Sequence, residues 1–358
     1  MQHKIKIFWF RRDLRLNDNA GLYRALTADA TPVQPIFIFD KNILDHLQSN
    51  DARVNFLVDT IGVLAKELEA LGSSLRVYYG KPEEIWQEIL SEFEVESVYI
   101  NHDYEPYALK RDAAVKSILI EKGIELHSFK DHVIFEKDEV VKDDGKPYTV
   151  FTPFKKKWYE KLNSRVENGE YYYLKAYPTE KYFSNLTKSS PFIIPTLKEM
   201  GFAPSEIEIP PTVLPQKIIA NYDETRNFPA INGTSRLGIH FRFGTLSIRE
   251  KALKALDLNA TYLSELIWRD FYSMILSRFP KIVHNSFRPE YDNIQWVNNP
   301  HQMEAWKLGK TGYPIVDAGM RELNATGYMH NRVRMITASF LTKHLLIDWR
   351  FGEAYFAE

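Results

Sequence analysis

The chain has 358 residues, of which 44% are hydrophobic and 26% charged, with a net charge of −1 and no cysteine. This composition can bury a large core in about two to three domains; it excludes disulfides, thiolate metal sites and cysteine nucleophiles, and fits a cytoplasmic protein. No apolar run is long enough to span a bilayer, and the run in MQHKIKIFWFRRD meets arginines too soon for a signal peptide. The charge is uneven: residues 221–358 carry 17 Lys+Arg against 14 Asp+Glu, and 11 of those 17 are arginine. Arginine makes bidentate phosphate contacts, so the later part permits a phosphate-binding patch.

Strands and helices alternate in the first third. Ile5–Phe10 reads as a buried strand, and Asp18 or Asn19 caps a helix through Ala28. Val33–Phe39 is the next strand, followed by a helical period over 53–71 and a strand over Ser74–Tyr79. A helix starts at Lys81-Pro82-Glu83-Glu84, with proline and acids in its first turn. Ser97–Ile100, the helix Tyr107–Glu121 and Ile124–Ser128 complete the pattern. This order predicts an α/β Rossmann-like domain over 1–128, with a parallel five-stranded sheet covered on both faces. It lacks GxGxxG, so the dinucleotide fingerprint is absent. Residues 129–215 contain a charged hairpin turn at Lys142–Lys146 and Pro-, Ser- and Lys-rich stretches, and read as an interdomain connector draped over the surface. From 216 to 358 the pattern is all-α, with helices over roughly 215–227, 247–257, 260–279, 301–308, 314–325 and 329–348.

Four segments of the later part carry unusual chemistry. Gly233-Thr234-Ser235-Arg236 offers backbone N–H groups and hydroxyls for a pyrophosphate, or an ordinary turn. In YLSELIWRDFY, Glu265, Trp268, Arg269 and Tyr272 fall at i, i+3, i+4 and i+7 and share one helical face. That face can stack a base, bond its edge and hold a phosphate; the alternative is a Glu265–Arg269 surface pair beside half-buried aromatics. The segment Tyr291–Asp317 holds Trp296, Trp306 and a Gly309-Lys310-Thr311 run whose spacing is wrong for a P-loop. In the fourth, Asn324–Arg350, the residues Val333, Ile336, Phe340, Leu341 and Leu345 mark an apolar helix face. Asn331, Arg332, Arg334 and Met335 crowd its start, and Trp349 is placed at its far end. No histidine pair has metal-ligand spacing and no GxSxG elbow is present.

FWFRRDLRLNDNA (8–20), GTSRL (233–237), RFGTLS (242–247), ELIWRDFY (265–272), GKTGYPIVDA (309–318) and the run from Gly327 to Arg350 together resemble the photolyase/cryptochrome family. The likeness is strongest to bacterial class I cyclobutane pyrimidine dimer photolyases. It implies FAD within the helical domain and an antenna pigment, methenyltetrahydrofolate or a deazaflavin, on the α/β domain. It also implies light-driven electron transfer from reduced flavin to a dimer flipped out of damaged DNA, photolyases being known base-flipping enzymes. The resemblance makes Tyr222, Thr234, Ser235, Arg236, Leu237, Gly238, Tyr262, Arg269 and Arg334 flavin contacts. It makes Glu265, Trp268 and Met335 the lesion-pocket residues. Arg226, Asn331 and Arg332, with Tyr272, Glu265 and Trp268, contact DNA. Trp296 and Trp349 belong to the electron-transfer chain, while Trp306 packs in the core. A cryptochrome-type photoreceptor without repair is the second reading; Trp268 and Met335 favour repair, and the partner is DNA, with no membrane and a monomeric enzyme. The family continues past Glu358 with further helices, so a truncated helical domain is expected. Ala108 stands where pterin-binding relatives place a carboxylate, with Glu105 nearby.

Overall fold

A computed structural model describes residues 4–358. Contacts divide the chain into two compact units: residues 1–205, 210–214 and 236–280 in the first, and 206–209, 215–235 and 281–358 in the second.

The first unit is built on five strands, β1 (Ile5–Phe10), β2 (Val33–Asp40), β3 (Arg76–Gly80), β4 (Val95–Asn101) and β5 (Glu125–Phe129). They form one parallel sheet in the order β3-β2-β1-β4-β5. Side chains alternate across a strand, and the sequence loads both faces. Phe8, Phe10, Phe37 and Phe39 face one core with Leu22 and Leu26 of Ala20–Thr27 and Ile61, Leu64 and Leu68 of Ala52–Ala70. Ile7, Trp9, Ile36 and Ile38 face the other with Trp86 and Ile89 of Pro82–Glu92 and Val115 and Leu119 of Pro106–Glu121. The predicted cap at Asn19 is present, its side chain accepting from the Leu22 N–H at 3.1 Å.

The expected boundaries at 128 and 215 differ from those of the compact units. The connector contains a helix, Phe151–Asn163, that buries Phe154, Trp158 and Leu162. Their spacing of four is a helical stripe, and Pro153 falls in the first turn, where its missing N–H is harmless. The hairpin turn does form, with Val141 bridging Pro147 antiparallel. The helices Gly238–Phe243, Ile248–Leu258 and Ala260–Arg278 belong to the first unit, and buried charge pairs are among the contacts that hold them there. Arg249, buried, bonds Asp18 at 2.8 Å and Asp131 at 2.8 Å, while Arg15 takes the other oxygen of Asp131 at 2.7 Å. Burial alone would raise the Asp131 carboxyl, but Arg15 and Arg249 outweigh it and hold it below the usual carboxylate range.

Helices also make up the second unit. Its core packs Trp306, Val316, Met320, Met329, Val333, Phe340, Leu341 and Ile347. The helix expected over 215–227 is broken into Gln216–Ala220 and Tyr222–Thr225. The helix expected over 329–348 stops at Lys343, so Trp349 is not at its end but opens a new helix, Trp349–Ala357, capped by Asp348. Ile336, assigned to the apolar face, is 42% exposed. Trp306 is fully buried and its indole N–H donates to the Thr337 carbonyl at 3.1 Å, the core role expected of it.

Candidate functional site

In the first unit the site rests on the 19-residue helix Ala260–Arg278. The Asn259 side chain caps it, accepting from the N–H groups of Thr261 at 3.0 Å and Tyr262 at 3.1 Å. Leu263, Leu266, Ile267, Phe271 and Met274 bury one face. Glu265, Trp268 and Arg269 are half-buried and Tyr272 is 62% exposed. Trp268 lies in an aromatic cluster: Phe151 stacks on it with centroids 3.6 Å apart and planes 7° from parallel. Phe271 meets it edge-on at 80°, and Tyr272 lies 5.3 Å away at 23°. Arg269 turns inward, donating to the His132 carbonyl and, at 3.1 Å, to the Phe241 carbonyl. Burial, with Arg12 beside it, lowers its guanidinium to about 10. Tyr262 is buried at the start of the same helix.

Next to Arg269, the buried Asp270 accepts from the Phe135 N–H at 3.1 Å, the Trp158 indole N–H at 2.9 Å and, more weakly, the Ile134 N–H at 3.4 Å. Burial pushes its carboxyl up to about 6 despite these donors. One carboxylate thus ties the chain at 134–135, the Phe151–Asn163 helix and the site helix together.

Arg236, Leu237 and Gly238 also lie in this unit. Leu237 is buried, Arg236 is exposed with a left-handed φ of 52°, and Gly238 opens the short helix Gly238–Phe243. That helix ends at Gly244, where φ is 64° and an added Cβ would lie 2.2 Å from the Arg12 carbonyl oxygen. Both the backbone conformation and the close approach require glycine there.

The second unit carries Asn331, Arg332, Arg334 and Met335 on the helix Asn331–Lys343. His330 caps it, its Nδ1 accepting from the Arg332 N–H at 3.2 Å. Arg332 donates to the Asn227 side-chain oxygen at 2.9 Å and reaches the Met335 sulfur at 3.5 Å. Met335 is 55% exposed, and Asn331 and Arg334 are also exposed. Thr234 and Ser235 are half-buried, and the Thr234 hydroxyl bonds that of Tyr328 at 2.9 Å. The Arg226 guanidinium lies 5.8 Å from the Tyr222 ring centroid. Trp296 and Trp349 are half-buried, with Arg350 over the Trp349 ring.

The structure therefore brings Glu265, Trp268, Arg269 and Tyr272 onto one helix, and Asn331, Arg332, Arg334 and Met335 onto another. Sequence reasoning missed Phe151, Asn227, Tyr328 and Asp270. For Phe151 a signal existed, since Phe151, Phe154 and Trp158 recur at three and four. For Asn227 and Tyr328 there was none, because each acts through a residue about 100 positions away.

Residues 6–170 match the family model described as DNA photolyase, and residues 262–358 match that of the FAD binding domain of DNA photolyase. A deoxyribodipyrimidine photo-lyase of Halobacterium salinarum is 36% identical over 386 residues, covering 99% of this chain and 78% of that protein. This chain belongs to the photolyase family. Among solved structures, a class III photolyase from Agrobacterium tumefaciens matches with a TM-score of 0.83 at 30% identity, covering 100% of this chain and 76% of that one. An archaeal photolyase from Sulfolobus tokodaii, described with two FAD molecules and a novel light-harvesting cofactor, matches with a TM-score of 0.78 at 32% identity, covering 98% of this chain and 78% of that one. With a class III structure this similar, the assignment stands at the family and not at class I.

FAD is the cofactor that this membership brings, and the donor chemistry fits it. Arg236 and Arg334 are exposed arginines, and Thr234 and Ser235 carry hydroxyls, the donor types that a pyrophosphate takes. A pterin carboxylate site fits less well. Ala108 is buried, and Glu105 is committed to Arg12 at 2.8 Å and Arg242 at 2.5 Å.

Proposed function

We propose that the chain is a deoxyribodipyrimidine photo-lyase that repairs cyclobutane pyrimidine dimers in DNA under light. The observation that carries the site assignment is the single helical face holding Glu265, Trp268 and Tyr272, with a half-exposed indole clamped in a fixed plane. FAD, when bound and reduced, supplies the electron and absorbs the light. The chain's own residues bind and orient. Trp268 stacks on the everted dimer; stacking of a base on an aromatic ring contributes about 1–3 kcal/mol. Glu265 bonds the edge of the dimer, and the Met335 thioether, held beside Arg332, lines the pocket with a polarizable surface. Arg226, Asn331 and Arg332 contact the DNA backbone. Thr234, Ser235, Arg236, Leu237, Gly238, Tyr222, Tyr262, Arg269 and Arg334 hold the flavin. Trp296 and Trp349 pass electrons to oxidised flavin. The enzyme works as a cytoplasmic monomer on damaged DNA, and no described helix is long and apolar enough to cross a membrane.

The test is illumination of the purified chain, loaded with reduced FAD, with an oligonucleotide bearing one thymine dimer. Light-dependent disappearance of the dimer is expected. Dimers that persist although flavin is bound, as the absorption spectrum reports, would overturn the repair reading in favour of a photoreceptor.

A further inference from the structure

We propose that Phe151 is a positioning residue for lesion recognition: its ring backs the Trp268 indole and fixes which face Trp268 turns toward an everted pyrimidine. This rests on the stacking role proposed for Trp268. The two rings overlap almost fully, with centroids 3.6 Å apart and planes 7° from parallel. Free aromatic pairs prefer offset or edge-on arrangements to such a sandwich, so the surroundings must hold it. They do so through the Phe151–Asn163 helix. Phe154 and Trp158, each 1% exposed, anchor that helix. Phe154 packs against Phe271 with centroids 5.1 Å apart, and the Trp158 indole N–H bonds Asp270 at 2.9 Å. Phe151, Phe154 and Trp158 therefore meet Trp268, Phe271 and Asp270 along a single seam. A ring fixed this way is a back-plate and not a flap that a base could push aside.

The other ring contacts of Trp268 come from its own helix. Phe271 meets it edge-on, and Tyr272, tilted by 23° and 62% exposed, lies at the margin of stacking range. Phe151 is the outside constraint. With one indole face taken by Phe151, stacking by a pyrimidine is confined to the other. Ordering a mobile side chain on binding costs conformational entropy, and Phe151 removes that cost in advance by holding the indole plane before DNA arrives.

The experiment measures dark binding of the full, flavin-loaded chain to two duplexes, one with a single thymine cyclobutane dimer and one undamaged. Phe151→Leu and Phe151→Met keep apolar bulk but lose the flat ring. Both should weaken binding to the dimer duplex by about 3- to 10-fold with undamaged duplex unaffected, while Phe151→Tyr should retain wild-type discrimination. Trp268→Ala is the parallel control and should lose discrimination. If Trp268→Ala discriminates like wild type, the stacking reading itself fails, and the inference with it. If Trp268→Ala loses discrimination while Phe151→Leu and Phe151→Met bind the dimer as wild type does, or more tightly, the back-plate role alone is overturned. Equal losses on both duplexes, or failure of both aliphatic variants to fold, would make Phe151 a plain core anchor and overturn it as well.

Discussion

The two helices that carry candidate site residues, one in each compact unit, hold their side chains differently. On Ala260–Arg278, Trp268 is clamped by Phe151 and Phe271, Arg269 is drawn inward to two carbonyls, and Asp270 ties down two neighbouring segments. On Asn331–Lys343, Arg334 and Met335 stand at the surface, and Arg332 is steadied by one amide. On the first helix candidate site residues and structural ones are interleaved; on the second they lie on opposite faces. Substitutions on the first should therefore disturb stability and function together, and substitutions on the second should separate them.

The largest expected effect breaks the scaffold role. Asp270→Ala leaves three buried N–H groups without their acceptor and should cost about 3–5 kcal/mol in chemical denaturation. Asp270→Asn should be mild, because an amide oxygen can replace the carboxylate oxygen that serves Phe135 and Trp158. That variant also tests the sign of the pH dependence. The folded pKa of about 6 lies above the ordinary 3.8, so the folded state holds this proton more tightly than the unfolded chain. The stability this brings is complete below the ordinary value and is lost as pH rises through about 6. Between pH 4 and 7 the wild type should lose roughly 2 kcal/mol relative to Asp270→Asn. Coincident pH profiles for the two would remove Asp270 from the account.

Next in size is Glu265→Ala, which should lower repair about 10- to 100-fold as a lost charged hydrogen bond while leaving bound flavin in place. His330→Ala removes the cap of the second helix and should cost about 1 kcal/mol. Met335→Ala should change stability by less than about 0.5 kcal/mol, yet weaken dimer binding. A large stability loss from that exposed position would erase the contrast between the two helices.

The sheet was legible because alternation does two jobs in it. Phe8 and Phe10 point to one core and Ile7 and Trp9 to the other, so a near-continuous apolar run announces a strand buried on both faces. The shared face of Glu265, Trp268 and Tyr272 was likewise written in their spacing. Two things were hidden. Pro153 and three lysines disguised the Phe151–Asn163 helix as connector, although proline in a first turn is permitted. The place of 236–280 in the first unit rests on partners far apart in sequence, such as Arg249 and Asp18 across 231 positions, and no local pattern encodes a partner that distant. The end of the second site helix at Lys343 was missed for a simpler reason: Leu345 and Ile347 remain apolar and packed beyond it, so hydrophobic periodicity outlasts the helix.

That long ion pair also has a consequence for how the protein is made. At about 5–20 residues per second the ribosome needs roughly 10–50 s to pass from Asp18 to Arg249. Throughout that interval Asp18, joined partway by one oxygen of Asp131, stands without the guanidinium that later covers them. A carboxylate such as Asp18 without its guanidinium holds water and repels the same patch on neighbouring nascent chains, so the surface awaiting its helices stays hydrated and unattractive to copies of itself. When Arg249 is made, it carries its helix to an address that the N-terminal layer has already marked by charge.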